Sequence, residues 1–374
     1  MNADICIVGG GVVGAAAAYY LSLEKMRVLV LERDQVGQHA SQGAVGFLTI
    51  DTVPFTHDML RKAAIQSRRD YHSLAGKFKE TCGVDIELEE CGTLRVAMNE
   101  ADLAALQKEI EWHRRHVASV EFLSAGQVKK RFPAIGADIA GGFFYPEDIQ
   151  VTSSRVTAAF RAAAEQLGAV FMQQTPVERW ETAGGRIAAV RAGERRFEAG
   201  RFILAAGPWS EELGRLLGLH VPVYPVRGQL LIFEMKERFL PCPVIAGGAH
   251  ELYYLGPKPE GVIYAGTTLE EAGFEETCTD EALERIGQEV AKLVPRVNEL
   301  PVKGSWAGLR PATKDKLPMI GRAPGWENLW LATGHFRKGV LLAPFTGRVI
   351  ADLIAGRASA LPIEEFSPAR FAIR

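Results

Sequence analysis

Gly9, Gly11 and Gly14, spaced G-x-G-x-x-G, and Glu32 beyond them are the first residues of this chain whose types and spacing carry chemistry. Gly9 allows a tight turn, Gly11 lets backbone approach a pyrophosphate, and Gly14 lets a helix lie close on a strand. The phosphates would sit at the positive N-terminus of that helix. A carboxylate at Glu32 accepts from both ribose hydroxyls and repels a 2′-phosphate, which selects an unphosphorylated adenosine ribose, as in FAD or NAD.

Those residues work only if the right elements hold them. Asp4-Ile5-Cys6-Ile7-Val8 reads as a buried strand, the alanine-rich stretch to about Leu23 as a helix, and Val28-Leu29-Val30-Leu31 as a second strand that ends at Glu32. The nineteen residues from Ile5 to Leu23 carry no charge and would pass for a signal or membrane segment. Three consecutive glycines interrupt them, Asp4 precedes them and no basic region leads in, which favours a parallel strand with its crossover helix.

The formal charge of −2 leaves no basic footprint, so neither nucleic acid nor an anionic membrane surface is expected as a partner. Five scattered cysteines without a C-x-x-C pair fit reduced thiols and a cytoplasmic location better than a disulfide framework. His113 and His116 are the nearest histidine pair; they lie at the polar end of a helical segment, and no metal site is expected.

After Glu32 the small, glycine-rich stretch Gly37 to Phe47 lets backbone pass close to a ligand. A helix is expected from about Phe55 to Lys79 and a strand from Cys91 to Ala97, and Leu103, Leu106, Ile110 and Val117 mark one face of a further helix. Thr152 or Ser153 would cap a helix ending near Gly168, followed by the strand Val170 to Met172. Phe202 to Gly207 reads as a buried strand and glycine turn, with Pro208 and Trp209 opening a helix. From Val221 to Pro301 alternating runs suggest antiparallel strands. Leu329 to Gly334 then reads as a strand and turn, and Ala343 to Ala355 as a closing helix. The fold class is therefore α/β, a Rossmann-like dinucleotide domain built from discontinuous segments plus a β-rich (α+β) substrate domain. The expected division is 1–84, 147–222 and 303–374 for the first and 85–146 and 223–302 for the second.

Four stretches carry a resemblance: Ile7 to Gly14, Ala205-Ala206-Gly207-Pro208-Trp209-Ser210, Gly308-Leu309-Arg310-Pro311-Ala312-Thr313-Lys314-Asp315, and Gly334 to Pro344 with its His335-Phe336-Arg337-Lys338-Gly339 core. Together, in order and over the whole chain, they resemble the FAD-dependent D-amino-acid oxidase superfamily, most nearly its glycine oxidase branch beside the sarcosine oxidases. The resemblance implies that Val12, Val13, Glu32, Arg33, Ala40 and Ser41 line the adenine and diphosphate half of FAD, with Val177 contacting adenine through its backbone. It places Val45, Gly46 and Phe47, with His335, Phe336, Arg337, Lys338, Gly339, Val340 and Leu341, around the isoalloxazine ring, and Gly207 in the turn beside the cofactor. Arg310 matches the arginine that grips the substrate carboxylate, whose planar fork suits a bidentate contact. Tyr254 matches a substrate-side tyrosine and Arg337 a second active-site arginine. The chain departs from the glycine oxidases at Phe47, Leu252 and Lys338, where methionine, histidine and asparagine are usual.

What the resemblance implies for chemistry is oxidation of a small amino acid or secondary amine of glycine, sarcosine, D-amino-acid or proline type. Hydride passes from Cα to flavin N5, and the imine is hydrolysed to an oxo acid, with electrons leaving to O2 or another acceptor. Relatives with covalent flavin use a cysteine near the position of Arg310 or a histidine aligned on Gly43; neither is present here, and noncovalent FAD is expected. A 2-hydroxy-acid or polyol dehydrogenase on the same scaffold, a flavin-binding protein without turnover, a homo-oligomer and a subunit of a dehydrogenase complex all stay open at this point.

Overall fold

Strands whose two faces are both covered need apolar residues at every position, and the runs at Ile5 to Val8 and Val28 to Leu31 meet that demand. In the computed structural model, which describes residues 2–50, 52, 57–113, 119–247 and 252–371, both runs are central to an eight-stranded sheet. Phe55, His116 and Val117, named above, lie outside these residues. The strand Asn2–Val8 runs parallel to Val28–Leu31 on one side and to Arg195–Leu204 on the other. Val170–Met172 extends the sheet beyond Val28–Leu31, and Leu329–Thr333 extends it beyond Arg195–Leu204, both in parallel. Met319–Arg322 closes one edge antiparallel. The hairpin Arg179–Ala183 and Arg186–Ala192 branches from the early part of Arg195–Leu204.

Four helices, Val12–Leu23, Asp58–Cys82, Ser153–Gln166 and Gly339–Ile354, share one buried cluster on this sheet. Alanines at 15 to 18 make the first helix thin, and a Cβ on Gly347 would stand 2.8 Å from the Ala16 carbonyl oxygen. The first and last helices therefore cross at glycine-to-backbone contact. No helix among the described residues is long and apolar enough to cross a membrane.

The second eight-stranded sheet has the order Val302–Thr313, Val223–Glu234, Val262–Gly266, Leu252–Lys258, Val244–Gly247, Thr93–Ala97, Gly141–Tyr145 and Glu121–Ser124. Its neighbours are antiparallel except Val244–Gly247 with Thr93–Ala97. Val302–Thr313 pairs with Val223–Glu234 along almost its whole length, so the expected division at 302/303 falls at the start of a strand of this sheet. A two-stranded ribbon, Phe47–Leu48 with Ile149–Gln150, joins segments far apart in sequence.

Several elements differ from the expectation. The helix expected to stop at Lys79 continues to Cys82, where Gly83 ends it in a left-handed conformation (φ 71°). Thr152 occupies the N-cap of Ser153–Gln166, yet its hydroxyl donates to Glu87 Oε2 at 2.6 Å instead of capping the helix. Inside the expected β-rich module lies an amphipathic helix, Asp280–Leu293, which buries Ala282, Ile286, Val290 and Leu293.

The closing helix begins at Gly339, four residues before the expected Ala343, with Pro344 inside it. Proline has no N–H, so the Val340 carbonyl loses its helical donor. Tyr71 from the helix Asp58–Cys82 replaces it, its hydroxyl donating to Val340 O at 2.6 Å, and the Phe345 N–H donates to Ser67 Oγ at 3.2 Å. Tyr71→Phe keeps the packing and leaves that buried carbonyl without a partner. It should lower unfolding free energy by about 1–3 kcal/mol, read from the urea midpoint at unchanged m-value.

Candidate active site

The dinucleotide end is built by backbone contacts that exclude side chains. Gly9 has φ 109°, and a Cβ there would stand 2.4 Å from Ala205 O; a Cβ on Gly14 would stand 2.0 Å from Gly9 O. Gly11 is the N-cap of Val12–Leu23 and has no side chain to bond the helix N-terminus, which opens on a cavity of about 600 Å³. Ser41 Oγ accepts from Val12 N at 2.9 Å. Glu32 Oε2 accepts from Gly10 N at 2.7 Å and Oε1 from Asp34 N at 2.9 Å, so each oxygen keeps a lone pair for a ligand.

Gly9, Gly11, Val12, Val13, Glu32, Arg33, Ala40, Ser41, Val177 and Gly207 all line this cavity. So do Val45, Gly46, Phe47, Tyr254, Arg310 and the run His335, Phe336, Arg337, Lys338, Gly339, Val340 and Leu341. Gly14 does not; its place is the contact between helix and strand that its spacing implied. Arg33 stacks its guanidinium on Trp209, 3.6 Å from the ring centre. His39, which also lines the cavity, bonds Asp34 through Nε2 at 2.8 Å and Glu276 through Nδ1 at 3.0 Å, so both ring nitrogens are engaged.

The opposite end is set by the second sheet. Arg310 pairs with Val226 in the register of Val302–Thr313 and Val223–Glu234. Its side chain crosses Gly228 and reaches the far side of that strand, where Nη1 donates to Thr268 O at 3.0 Å and Nη2 to Thr267 Oγ1 at 2.8 Å. A Cβ on Gly228 would lie 2.1 Å from both terminal nitrogens of the guanidinium. Burial lowers Arg310 to about 10, and the nearby Arg337 charge pushes the same way. Burial also lowers Arg337, whose Nε is buried without a hydrogen-bond partner. Among the described residues neither guanidinium forms a salt bridge. Glu270, whose charge is felt at Arg310, is committed to Arg227 at 2.6 Å. Burial raises the Tyr254 phenol, against the opposing pull of Arg310.

Phe47 meets Tyr254 edge to face, ring centres 5.3 Å apart, and Gly256 makes room for its ring, since a Cβ there would stand 2.6 Å from it. Behind Phe47 the ammonium of Lys258, 2% exposed, lies 5.5 Å from the ring centre and donates to Gln150 Oε1 and Val151 O, each at 3.0 Å. Burial lowers this lysine to about 8. His335 is buried against Thr346 Oγ1 at 2.9 Å, and burial lowers it to about 3. The cavity thus has an anion-receptive backbone end, an aromatic and neutral-histidine middle, and a cationic end.

Residues 4–353 match the family described as FAD dependent oxidoreductase. The chain belongs to that family. The glycine oxidase of Pseudomonas aeruginosa is 31% identical over 371 residues, covering 99% of both chains. That of Geobacillus kaustophilus is 31% identical over 369 residues, 98% of this chain and 97% of its own. A crystal structure of glycine oxidase from Geobacillus kaustophilus superposes with a TM-score of 0.94 at 30% identity, covering all of both chains. The glycine oxidase-like branch of the D-amino-acid oxidase superfamily, expected from the motifs, is the one found. This member of the FAD dependent oxidoreductase family oxidises an amino acid or amine with FAD as its cofactor. Its own atoms fit the group: a helix N-terminus that opens on the cavity with the side-chain-free Gly11 at the diphosphate position, a buried Glu32 with free lone pairs, and a cavity long enough to run from Gly9 to Tyr254.

Thr267, Thr268 and Gly228 were not anticipated as site residues. Their link to Arg310 runs sideways across three strands, and only the register reveals it. Because Arg310 is the flexible partner, Gly228→Ala should displace its guanidinium without unfolding the sheet. The expected result is a KM for the amino acid raised by about tenfold or more at nearly unchanged melting temperature.

For His335 the folded-state value near 3 lies below the unfolded 6.5, so the unfolded chain binds the extra proton between them. This group therefore makes stability fall as pH drops from about 6.5 towards 3, by up to ~1.4 kcal/mol per unit. Denaturant titrations across that range should show a shallower fall in His335→Gln.

Proposed function

We propose that the site residues act as the resemblance implies on a small amino acid or secondary amine of the glycine, sarcosine, D-amino-acid or proline type. The observation that carries this reading is the Arg310 guanidinium, buried at the cavity wall and held, among the described residues, only by the neutral Thr268 carbonyl and Thr267 hydroxyl. A charge oriented by neutral groups keeps its attraction for an incoming carboxylate. Tyr254 adds a hydroxyl to the same carboxylate, and Phe47 gives the reacting carbon an apolar wall. FAD held there would supply the oxidant, taking the hydride from Cα and passing the electrons to O2 or another acceptor. The resulting imine takes up water to give an oxo acid and ammonia or an amine. Among the described residues the carboxylates lining the cavity are Glu32, tied to Gly10, and the exposed Glu212, so no carboxylate is assigned as base. Two guanidiniums beside the bound zwitterion disfavour its ammonium and favour the neutral amine that the reaction needs.

The cofactor half of the proposal assigns adenine and diphosphate to Val12, Val13, Glu32, Arg33, Ala40, Ser41 and Val177, and the isoalloxazine to Val45 to Phe47 and His335 to Leu341. Noncovalent attachment is favoured by the contacts to Asp34 and Glu276 that occupy both ring nitrogens of His39. A cytoplasmic location is favoured by the free state of all five cysteines. Segments 1–84, 147–222 and 303–374 are proposed to form the FAD-binding domain and 85–146 and 223–302 the substrate domain, with the strand Val302–Thr313 reaching across to pair in the substrate domain's sheet.

The test is anaerobic bleaching of the flavin band near ~450 nm by glycine, sarcosine, D- and L-amino acids, proline and 2-hydroxy acids, followed by air. Bleaching by an amine is the expected result, with rapid return in air for an oxidase; bleaching by hydroxy acids alone would overturn it. Arg310→Ala should raise KM for the best amine by two orders of magnitude or more, roughly 3 kcal/mol for a charge-assisted bidentate contact. An unchanged KM removes Arg310 from the substrate site.

A further inference from the structure

Between the strand Val262–Gly266 and the helix Asp280–Leu293 the chain forms an arch, and both of its feet stand on the strand Val223–Glu234. At the first foot Glu270 exchanges two backbone hydrogen bonds with Arg227, at 2.8 and 3.0 Å, and its carboxylate accepts from Arg227 Nε at 2.6 Å. At the second, Thr279 N donates to Gln229 Oε1 at 2.7 Å and the Thr277 carbonyl accepts from Arg227 Nη1 at 3.2 Å. The crest between them turns at Gly273, left-handed at φ 60°, and has no regular structure. Phe274 and Glu276 fasten it. Phe274, 42% exposed, stacks on Trp209 with ring centres 5.8 Å apart, and Glu276 meets His39 Nδ1 at 3.0 Å.

Neither Phe274 nor Glu276 lines the cofactor cavity, whereas Trp209 and His39 both do. Trp209 belongs to the turn after Arg195–Leu204, and His39 to the glycine-rich stretch beyond Glu32. Arg33 lies over the Trp209 ring at 3.6 Å, and the His39 ring meets it edge-on, centres 4.8 Å apart. The arch therefore ties together, from outside, two walls that reach the cavity from different strand ends.

We propose that residues 270–279 act as an outer strap on the cofactor: Phe274 and Glu276 are positioning residues that hold Trp209 and His39 in place, and lifting of the strap sets how fast FAD leaves. This rests on the assignment of the Glu32 and Arg33 end of the cavity to the adenine and diphosphate half. The strap has no part in turnover. Thr267 and Thr268, which orient Arg310, precede the Glu270 foot, and that foot stays on Arg227 and Gln229 when the crest lifts. Exposed and irregular, the crest opens locally while the sheet beneath it stays formed.

The experiment follows FAD leaving the diluted holoenzyme, read from the rise of free-flavin fluorescence, beside steady-state kinetics with FAD in excess. Phe274→Ala and Glu276→Ala should each speed release, and together by about tenfold or more, through loss of the ring stack and of the carboxylate contact. Phe274→Tyr, which keeps the ring, should restore slow release. KM for the amine and kcat should stay within about twofold of the wild type in all three. Unchanged release in the double variant overturns the inference. So does a KM that rises in step with release, because the variants would then be loosening the second sheet as a whole. Glu32→Gln, read in the same assay, tests the assignment beneath the strap. If it speeds release while the strap variants do not, the adenine assignment stands and the strap falls; if only the strap variants speed release, the strap stands and a different part of FAD lies under it.

Discussion

Everything in this molecule is placed by the contact of three backbones at Gly9, Gly14 and Ala205, where no side chain fits. The contact lies at the carboxyl end of Asn2–Val8, between two parallel neighbours. Parallel strands deliver all their carboxyl ends to one edge, and the residues that follow them arrive together. Gly9, Glu32, Val177, Gly207 and His335 come from five separate strand ends and face one cavity. A ligand at this edge meets loops rather than strand faces, as expected where the direction of connection reverses. The tight crossing of the first and last helices at Gly347 depends on the same thin, alanine-rich helix that Gly14 lets down onto the sheet.

The second sheet contributes charge without neutralisation. Thr267 and Thr268 orient Arg310 through neutral oxygens, and Glu270 is kept on Arg227. A carboxylate in the place of Thr267 would hold the guanidinium more tightly and leave it little attraction for a ligand. Lys258 follows another rule: its ammonium faces the Gln150 amide oxygen and the Val151 carbonyl, and it ties the strand Leu252–Lys258 to the ribbon that carries Phe47. One buried cation is left available to the cavity, while the other is satisfied as part of the frame.

What was legible in the sequence was local. The strand, glycine turn, helix, strand and Glu32 all act within thirty-odd residues, and each leaves a pattern that periodicity or turn chemistry can read. The apolar runs at Phe202 to Leu204 and Leu329 to Leu331 were legible for the same reason. Less was readable where two signals competed. The closing helix starts at Gly339 and not at the expected Ala343, and the hydroxyl that replaces the donor Pro344 lacks comes from Tyr71, 269 residues before Val340. The helix Asp280–Leu293 had its signal in Ala282, Ile286, Val290 and Leu293, but alternating runs on its N-terminal side drew the segment into a β-rich reading. Gly228 had no local signal, since what requires a glycine there is the side chain of Arg310, which arrives from the neighbouring strand.

The proline in the closing helix makes that helix depend on a neighbour for a hydrogen bond. Val340, which forms part of the cavity wall, is held by the Tyr71 hydroxyl and Phe345, just beyond Pro344, by Ser67, both from the helix Asp58–Cys82, while the residues on either side of Pro344 pack in one apolar cluster. The gap that Pro344 leaves in the helical ladder is thus closed from a neighbouring helix instead of from within. A residue that meets the cavity is thereby tied to Asp58–Cys82 as firmly as to its own helix.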